Sequence, residues 1–426
     1  MSEIEYQELK KSNKLCGYVV KKNIKIMNVL KTAFFARNFD QVEELLEQEP
    51  QSFKALNDFD QRQIVSGLLR EKRFDPILQI SDTNAVVLDL FELDKLEGSF
   101  VETVITSAPF YSQPITRFNA KQLMQENPDA AALEFVKTFV SKIENIDESV
   151  GKDSLLKIAI NKNLPLQVIE LLINAGCKAN EIDANENTLL HHNILPEYAQ
   201  FLITKGADVN QKNRGNISPL ENAIENSIIS LVKLFLDNGA NINKTNSNGE
   251  TLHHFALAKK INFEMYDLLC EYTYPNFEQL NNDGKTLLYD FIRSIDRYSS
   301  ASNYDYLKKI LDQGASITTI CSHYNKPITP LDLALTKPTQ VFEIVLEYYN
   351  QDINITDNNG NTLLHKLCSI NLNFEADKAK ELYRKVKLVL EKGADKNIRN
   401  SQDKLAYELA IDDNLKEKVV ALLLKS

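Results

Sequence analysis

No feature of this 426-residue chain constrains its fold more than a phrase, Thr-x-Leu-His or a close variant, that returns along its last two-thirds. It reads Ser154-Leu-Leu-Lys157, Thr188-Leu-Leu-His191, Ser218-Pro-Leu-Glu221, Thr251-Leu-His-His254, Thr286-Leu-Leu-Tyr289, Thr329-Pro-Leu-Asp332 and Thr362-Leu-Leu-His365, ending in Leu405-Ala-Tyr-Glu408. The intervals are 34, 30, 33, 35, 43, 33 and 43 residues. A period near 33 is one small helical unit, too short to bury its own apolar face, so consecutive units have to stack. Two intervals exceed the period, and insertions around 294–303 and 369–378 account for them.

A second marker keeps the same phase: Ala175-Gly176, then Gly-Ala beginning at Gly206, Gly239, Gly314 and Gly393. Apolar residues three and four apart precede it, as in Leu231, Val232, Phe235 and Leu236, or Val386, Val389 and Leu390, which places them on one helix face. The residue chemistry suits a helix-turn-helix unit. Ser or Thr caps the first helix, Pro219 and Pro330 occupy its first turn, and glycine stops the second. Asn248-Gly249, Asp283-Gly284 and Asn359-Gly360 then give turn signals for a projecting hairpin.

These motifs resemble ankyrin repeats, with Gly206-Ala-Asp-Val-Asn210 and Thr329-Pro-Leu-Asp-Leu-Ala334 nearest the family pattern. The resemblance implies an all-α ankyrin-repeat solenoid of about eight units over 151–426. It departs at Leu190 to Asn193, where Asn193 stands at a small-residue position and Pro196 shortens the helical region. Residues 1–150 form a helical N-terminal region, read either as diverged repeats or as a small separate domain. Leu30 to Ala33 and Val42 to Leu46 suggest one degenerate unit there, with further helices expected at 61–70, 85–93 and 130–146. Two prolines and three aromatics between Ser107 and Ala120 read as an extended loop.

The charge balance argues against nucleic acid. There are 18 basic and 24 acidic residues in 1–150, 31 and 35 in the remainder, and a net charge of -10, so neither part is basic. No apolar run is long enough to span a membrane. Five scattered cysteines form no Cys-x-x-Cys pair and suggest a reducing compartment. His191, His254 and His365 recur at one position of the repeat, and the resemblance makes them structural partners of the Thr hydroxyl and neighbouring backbone. Adjacent His-His pairs point about 100 degrees apart on a helix and are poor zinc ligands. Cys16 has no histidine anywhere in 1–150 to serve as its base. No catalytic, cofactor-binding or metal residues are assigned.

The reading is therefore a monomeric protein–protein interaction scaffold that binds another protein on its hairpin tips and concave helical face. The candidate partner-binding residues are Asn213, Arg214, Asn246, Asn248, Asn282, Asp283, Tyr324, Asn325, Asp357 and Asn358. Tyr and Arg are enriched at binding hot spots, which singles out Tyr324 and Arg214. The alternative is an enzyme or modifier whose activity lies in the N-terminal third, with the repeats recognising its substrate. The lysine-, asparagine- and isoleucine-rich style is similar to ankyrin-repeat effectors of intracellular bacteria. Met1 to Lys11, with three glutamates and no apolar run of signal-peptide length, predicts a cytoplasmic protein, and the likeness implies one exported into a host cell without an N-terminal signal.

Overall fold

The computed structural model describes residues 25–425 apart from 84, 94, 117–118, 124, 149–152, 325 and 374. Cys16 and Asn325 therefore lie outside the described residues. The fold is all-α, with one two-stranded hairpin, Cys321–His323 against Lys326–Ile328, among the described residues. The described residues divide into two compact units between Pro219 and Leu220.

In the first unit, a helix over 25–35 and a second at Phe39–Gln48 make the degenerate pair expected from Leu30 and Leu46, both fully buried. Helices Asp58–Arg70 and Ala130–Val140 follow the sequence expectation, the latter ending six residues early. The helix expected at 85–93 is a loop with a single turn, Leu90–Glu92. Its backbone pairs elsewhere: Leu90 N–H donates to Glu144 O, and Glu144 N–H donates to Leu88 O, each at 3.1 Å. A non-local ladder thus took the groups a helix would have used. The doubtful repeat at Thr188 has only a three-residue turn, Leu189–His191, as its first helix.

In the second unit, the helix Ile229–Asp237 buries Leu231, Val232, Phe235 and Leu236, the face its spacing predicts. The two long intervals resolve into loops and lengthened second helices. Ala301–Asp312 has 12 residues and Ala376–Glu391 has 16, against nine for Ile229–Asp237. Three of its second helices end at a glycine in the left-handed region, Gly239 (φ +83), Gly314 (φ +100) and Gly393 (φ +90), where other residues are strained. Phe263–Tyr272 and Thr339–Glu347 end without one, at Thr273 and Tyr348.

Lysines bind successive repeats of this unit together. Lys337 Nζ donates to Ile295 O (2.8 Å), Lys385 Nζ to Leu335 O (2.8 Å) and Lys416 Nζ to Cys368 O (2.9 Å). Each ammonium thus meets unpaired carbonyls at or just beyond the end of a preceding repeat's first helix, where the helix dipole also favours a cation. Lys385 is almost fully buried, and burial pulls its amine down to about 8.

Gly360 distinguishes conformational strain from crowding. Its φ is +73, and an added Cβ would lie 2.7 Å from Ser401 N, whereas Gly393 has nothing within 4 Å. Gly393→Ala should lose about 1 kcal/mol in urea unfolding from conformation alone. Gly360→Ala should lose about 2 kcal/mol or more, because the backbone of the next hairpin must also move. Equal losses would remove the close inter-repeat approach from the account.

Candidate functional site

The hairpins share one frame. Five residues before the first-helix cap of six repeats stands an Asp or Asn, Asp183, Asn213, Asn246, Asn281, Asp357 and Asn400, while Tyr324 holds that place before Thr329. Its N–H donates to the carbonyl four residues on, and its own carbonyl accepts from the residue three on, as in Asn246 N to Glu250 O and Gly249 N to Asn246 O, both 2.9 Å. Its side-chain Oδ1 accepts the amide four residues on: from Asn187 (2.9 Å), Ile217, Glu250 and Lys285 (3.0 Å each), Asn361 (3.0 Å) and Lys404 (3.1 Å). The third residue beyond it is left-handed every time, from Glu186 to Asp403. Asn and Asp suit this position because their short side chains bond the backbone locally.

Consecutive hairpins then bond to each other. Arg214 N–H donates to Asn185 O in the first unit; Asn282 N–H to Asn248 O and Ser401 N–H to Asn359 O in the second, all 2.9 Å. Histidines add a second tie. Nδ1 of His191 and His365 meets the Thr188 and Thr362 hydroxyls (3.0 and 2.8 Å), while Nε2 meets Ile217 O and Lys404 O, both 3.0 Å. These two are the structural histidines the family resemblance implied.

The frame sorts the candidate residues. Asn213, Asn246 and Asp357 are the frame residues themselves, with side chains turned into the hairpin. Arg214, Asn248, Asn282, Asp283 and Asn358 occupy the two tip positions and are exposed. Asn282 also donates Nδ2 to Ser247 O (2.9 Å), and Arg214 lies 3.6 Å from Glu186. Tyr324 tops the two-stranded hairpin at 88% exposure, edge-on to His323, with Ile320 nearby at 68%. By position, Asn185, Ser247 and Gln402 belong to the same tip set; counting from the Thr cap would have found them.

Two further sites lie elsewhere. A cleft of about 870 Å³ in the first unit is lined by residues between Lys54 and Glu144, among them Arg62, Asp89, Glu92, Lys95 and Lys142. Its lining contains no histidine or cysteine, and Arg62 is committed to Gly98 O at 3.0 Å. In the second unit His254 departs from the histidine pattern. Its Nε2 meets Asp290 Oδ2 (3.0 Å) in a buried cluster with Glu250. Lys259 Nζ sits 3.1 Å from Glu250 Oε1 and 3.3 Å from Asp290 Oδ2. Asp290 is held below the usual carboxylate range: the bond from His254 and the charge of Lys259 outweigh the opposing effect of its burial. The described thiols carry no activation: burial pushes Cys177 and Cys368 up to about 12, and raises Cys270 and Cys321.

With the geometry established, comparison with known proteins gives the class of repeat. Residues 220–321 match the family model for ankyrin repeats (three copies), and the chain carries ankyrin repeats there. A putative ankyrin repeat protein of fowlpox virus is 31% identical over 179 residues, 40% of this chain and 50% of that protein. A putative ankyrin repeat protein of Acanthamoeba polyphaga mimivirus is 28% identical over 138 residues, 30% of this chain and 17% of that protein. The chain thus spans half or less of the length of these two relatives. The crystal structure of the ankyrin repeat domain of Bcl-3 aligns with a TM-score of 0.43 at 18% identity, covering 55% of this chain and 99% of that one. No helix among the described residues is long and apolar enough to cross a membrane.

His253, beside the buried cluster, gives a pH test. It is buried, bonds Thr273 O through Nε2 (3.0 Å), and burial pulls it down to about 4. Between pH 6.5 and 4 the unfolded chain then holds more protons than the folded one, so this contribution to stability is lost as pH falls. From pH 7 to 5 the loss should be about 2 kcal/mol. Urea unfolding of wild type and His253→Gln at both pH values should show that difference disappearing in the variant; parallel pH profiles would contradict it.

Proposed function

We propose that this chain is a protein–protein interaction scaffold whose hairpin tips hold a partner protein. The observation that carries the proposal is the division of labour in the hairpins. A repeated Asp or Asn frame supplies the geometry, and the two tip positions expose side chains that differ as a pair in every framed hairpin. A rigid frame with free tips gives specificity without disturbing the fold. Charge balance supports a protein partner over nucleic acid, since neither part of the chain is basic. The finer reading, a monomer exported into a host cell as an effector, rests on sequence style alone, and a translocation reporter fused to the full chain tests it.

Binding is tested with the full chain as bait, followed by affinity measurement on the captured partner. Arg214→Ala and Tyr324→Ala are exposed changes and should leave the melting temperature within a degree or so. At least one of them should weaken the partner by roughly tenfold, about 1.4 kcal/mol. Unchanged affinity in both, with binding intact, would move the partner site off these tips.

A further inference from the structure

We propose that Glu250, His254 and Asp290 form a divalent-metal site of the zinc type, closed in the metal-free protein by the ammonium of Lys259. The three ligand atoms lie within 4.8 Å of one another, and each residue is 2% exposed. One imidazole and two carboxylates are a donor set that zinc accepts, and two negative charges beside a neutral ring match a dication.

The ammonium marks where a cation sits. Lys259 Nζ bridges Glu250 Oε1 and Asp290 Oδ2, and it arrives there through an irregular helix. The widened turn Phe255–Lys259 is closed by Lys260 N–H to Phe255 O (3.0 Å) and sets Lys259 five residues beyond His254, against the same carboxylates. Such widened turns concentrate at functional positions. Asp290 Oδ1 is a second indication. It is buried and receives no hydrogen bond, its nearest positive group being Arg293 Nε at 3.4 Å. A buried carboxylate oxygen ordinarily has a donor or a metal. The Lys259 side chain is 32% exposed, so it can withdraw to water and open the site, which the other three side chains cannot do.

Glu250 and His254 come from one repeat and Asp290 from the next. Bound metal would therefore join two ankyrin units of the second compact unit. Asn246, the hairpin frame residue, holds Glu250 Oε2 from behind (3.0 Å), and Asn281, the frame residue of the next hairpin, holds Asp290 Oδ2 (3.2 Å). The donors are thus oriented by the same residues that shape the tips, as ligands commonly are by their neighbours.

The test uses the full chain, stripped with chelator and titrated with Zn²⁺ by calorimetry, with Mg²⁺ as the contrasting ion. Wild type should bind one Zn²⁺ that His254→Gln removes, and its melting temperature should rise with Zn²⁺ but not Mg²⁺. Lys259→Met removes the resident competitor and should bind Zn²⁺ roughly tenfold tighter. Should His254→Gln fail to fold, Asp290→Asn in the Lys259→Met background serves as the ligand knockout, and it too should lose the site. Absence of Zn²⁺ binding by both wild type and Lys259→Met overturns the proposal. So does binding that survives the ligand substitutions, which would place the ion on other histidines or thiols.

Discussion

The stacking of the repeats depends on backbone bonds that run from one hairpin to the next. A single 33-residue unit has a short first helix, a second helix with one apolar face, and a turn whose amides cannot all be satisfied internally. The amide at the first tip position has no acceptor within its own turn, and the preceding hairpin supplies one, as Asn185, Asn248 and Asn359 do for Arg214, Asn282 and Ser401. Apolar burial between helices gives the driving force, but it is non-directional. The hairpin bonds, with the carbonyls that His191 and His365 engage, fix the register at which helices stack.

The same logic explains why so many polar groups are buried. Lys385, Lys416, Glu250, His254 and Asp290 all lie at junctions between repeats of the second unit, and all but the acids donate to a partner in a neighbouring repeat. A wrong register would leave these groups desolvated without partners, at roughly 1–3 kcal/mol each or more for a charge. Junctions built this way reject slippage even where helix faces are similar. They also leave the tips free, since neither Arg214 nor Tyr324 contributes its side chain to a junction within its unit beyond the exposed contacts with Glu186 and His323.

Much of this was legible in the sequence because it lives in local chemistry. Thr286 and Thr329 cap helices, Pro330 opens one, and Gly239, Gly314 and Gly393 are left-handed where the second helix ends. What could not be read depends on partners distant in sequence. The 85–93 segment has helical periodicity but pairs with Glu144. Asn213, Asn246 and Asp357 look like free polar tips until the amides they accept are seen. His254 carries the same phrase as His365, yet Asp290 takes its Nε2 because the residue that decides lies 36 positions on. A single cap-relative count would have separated frame from tip; nothing local would have found the carboxylate.

Amide hydrogen exchange on the full chain tests the central claim most directly. The N–H groups of Arg214, Asn282 and Ser401 belong to residues at exposed tips, yet each is bonded to the hairpin before it. If hairpins hold one another as described, these amides exchange as slowly as those of their own unit's second helices, several orders of magnitude below the rate of an open loop, because only sub-global opening frees them. Exchange at the open-loop rate, with the helices still protected, would show that helix burial alone holds the repeats together and contradict the account.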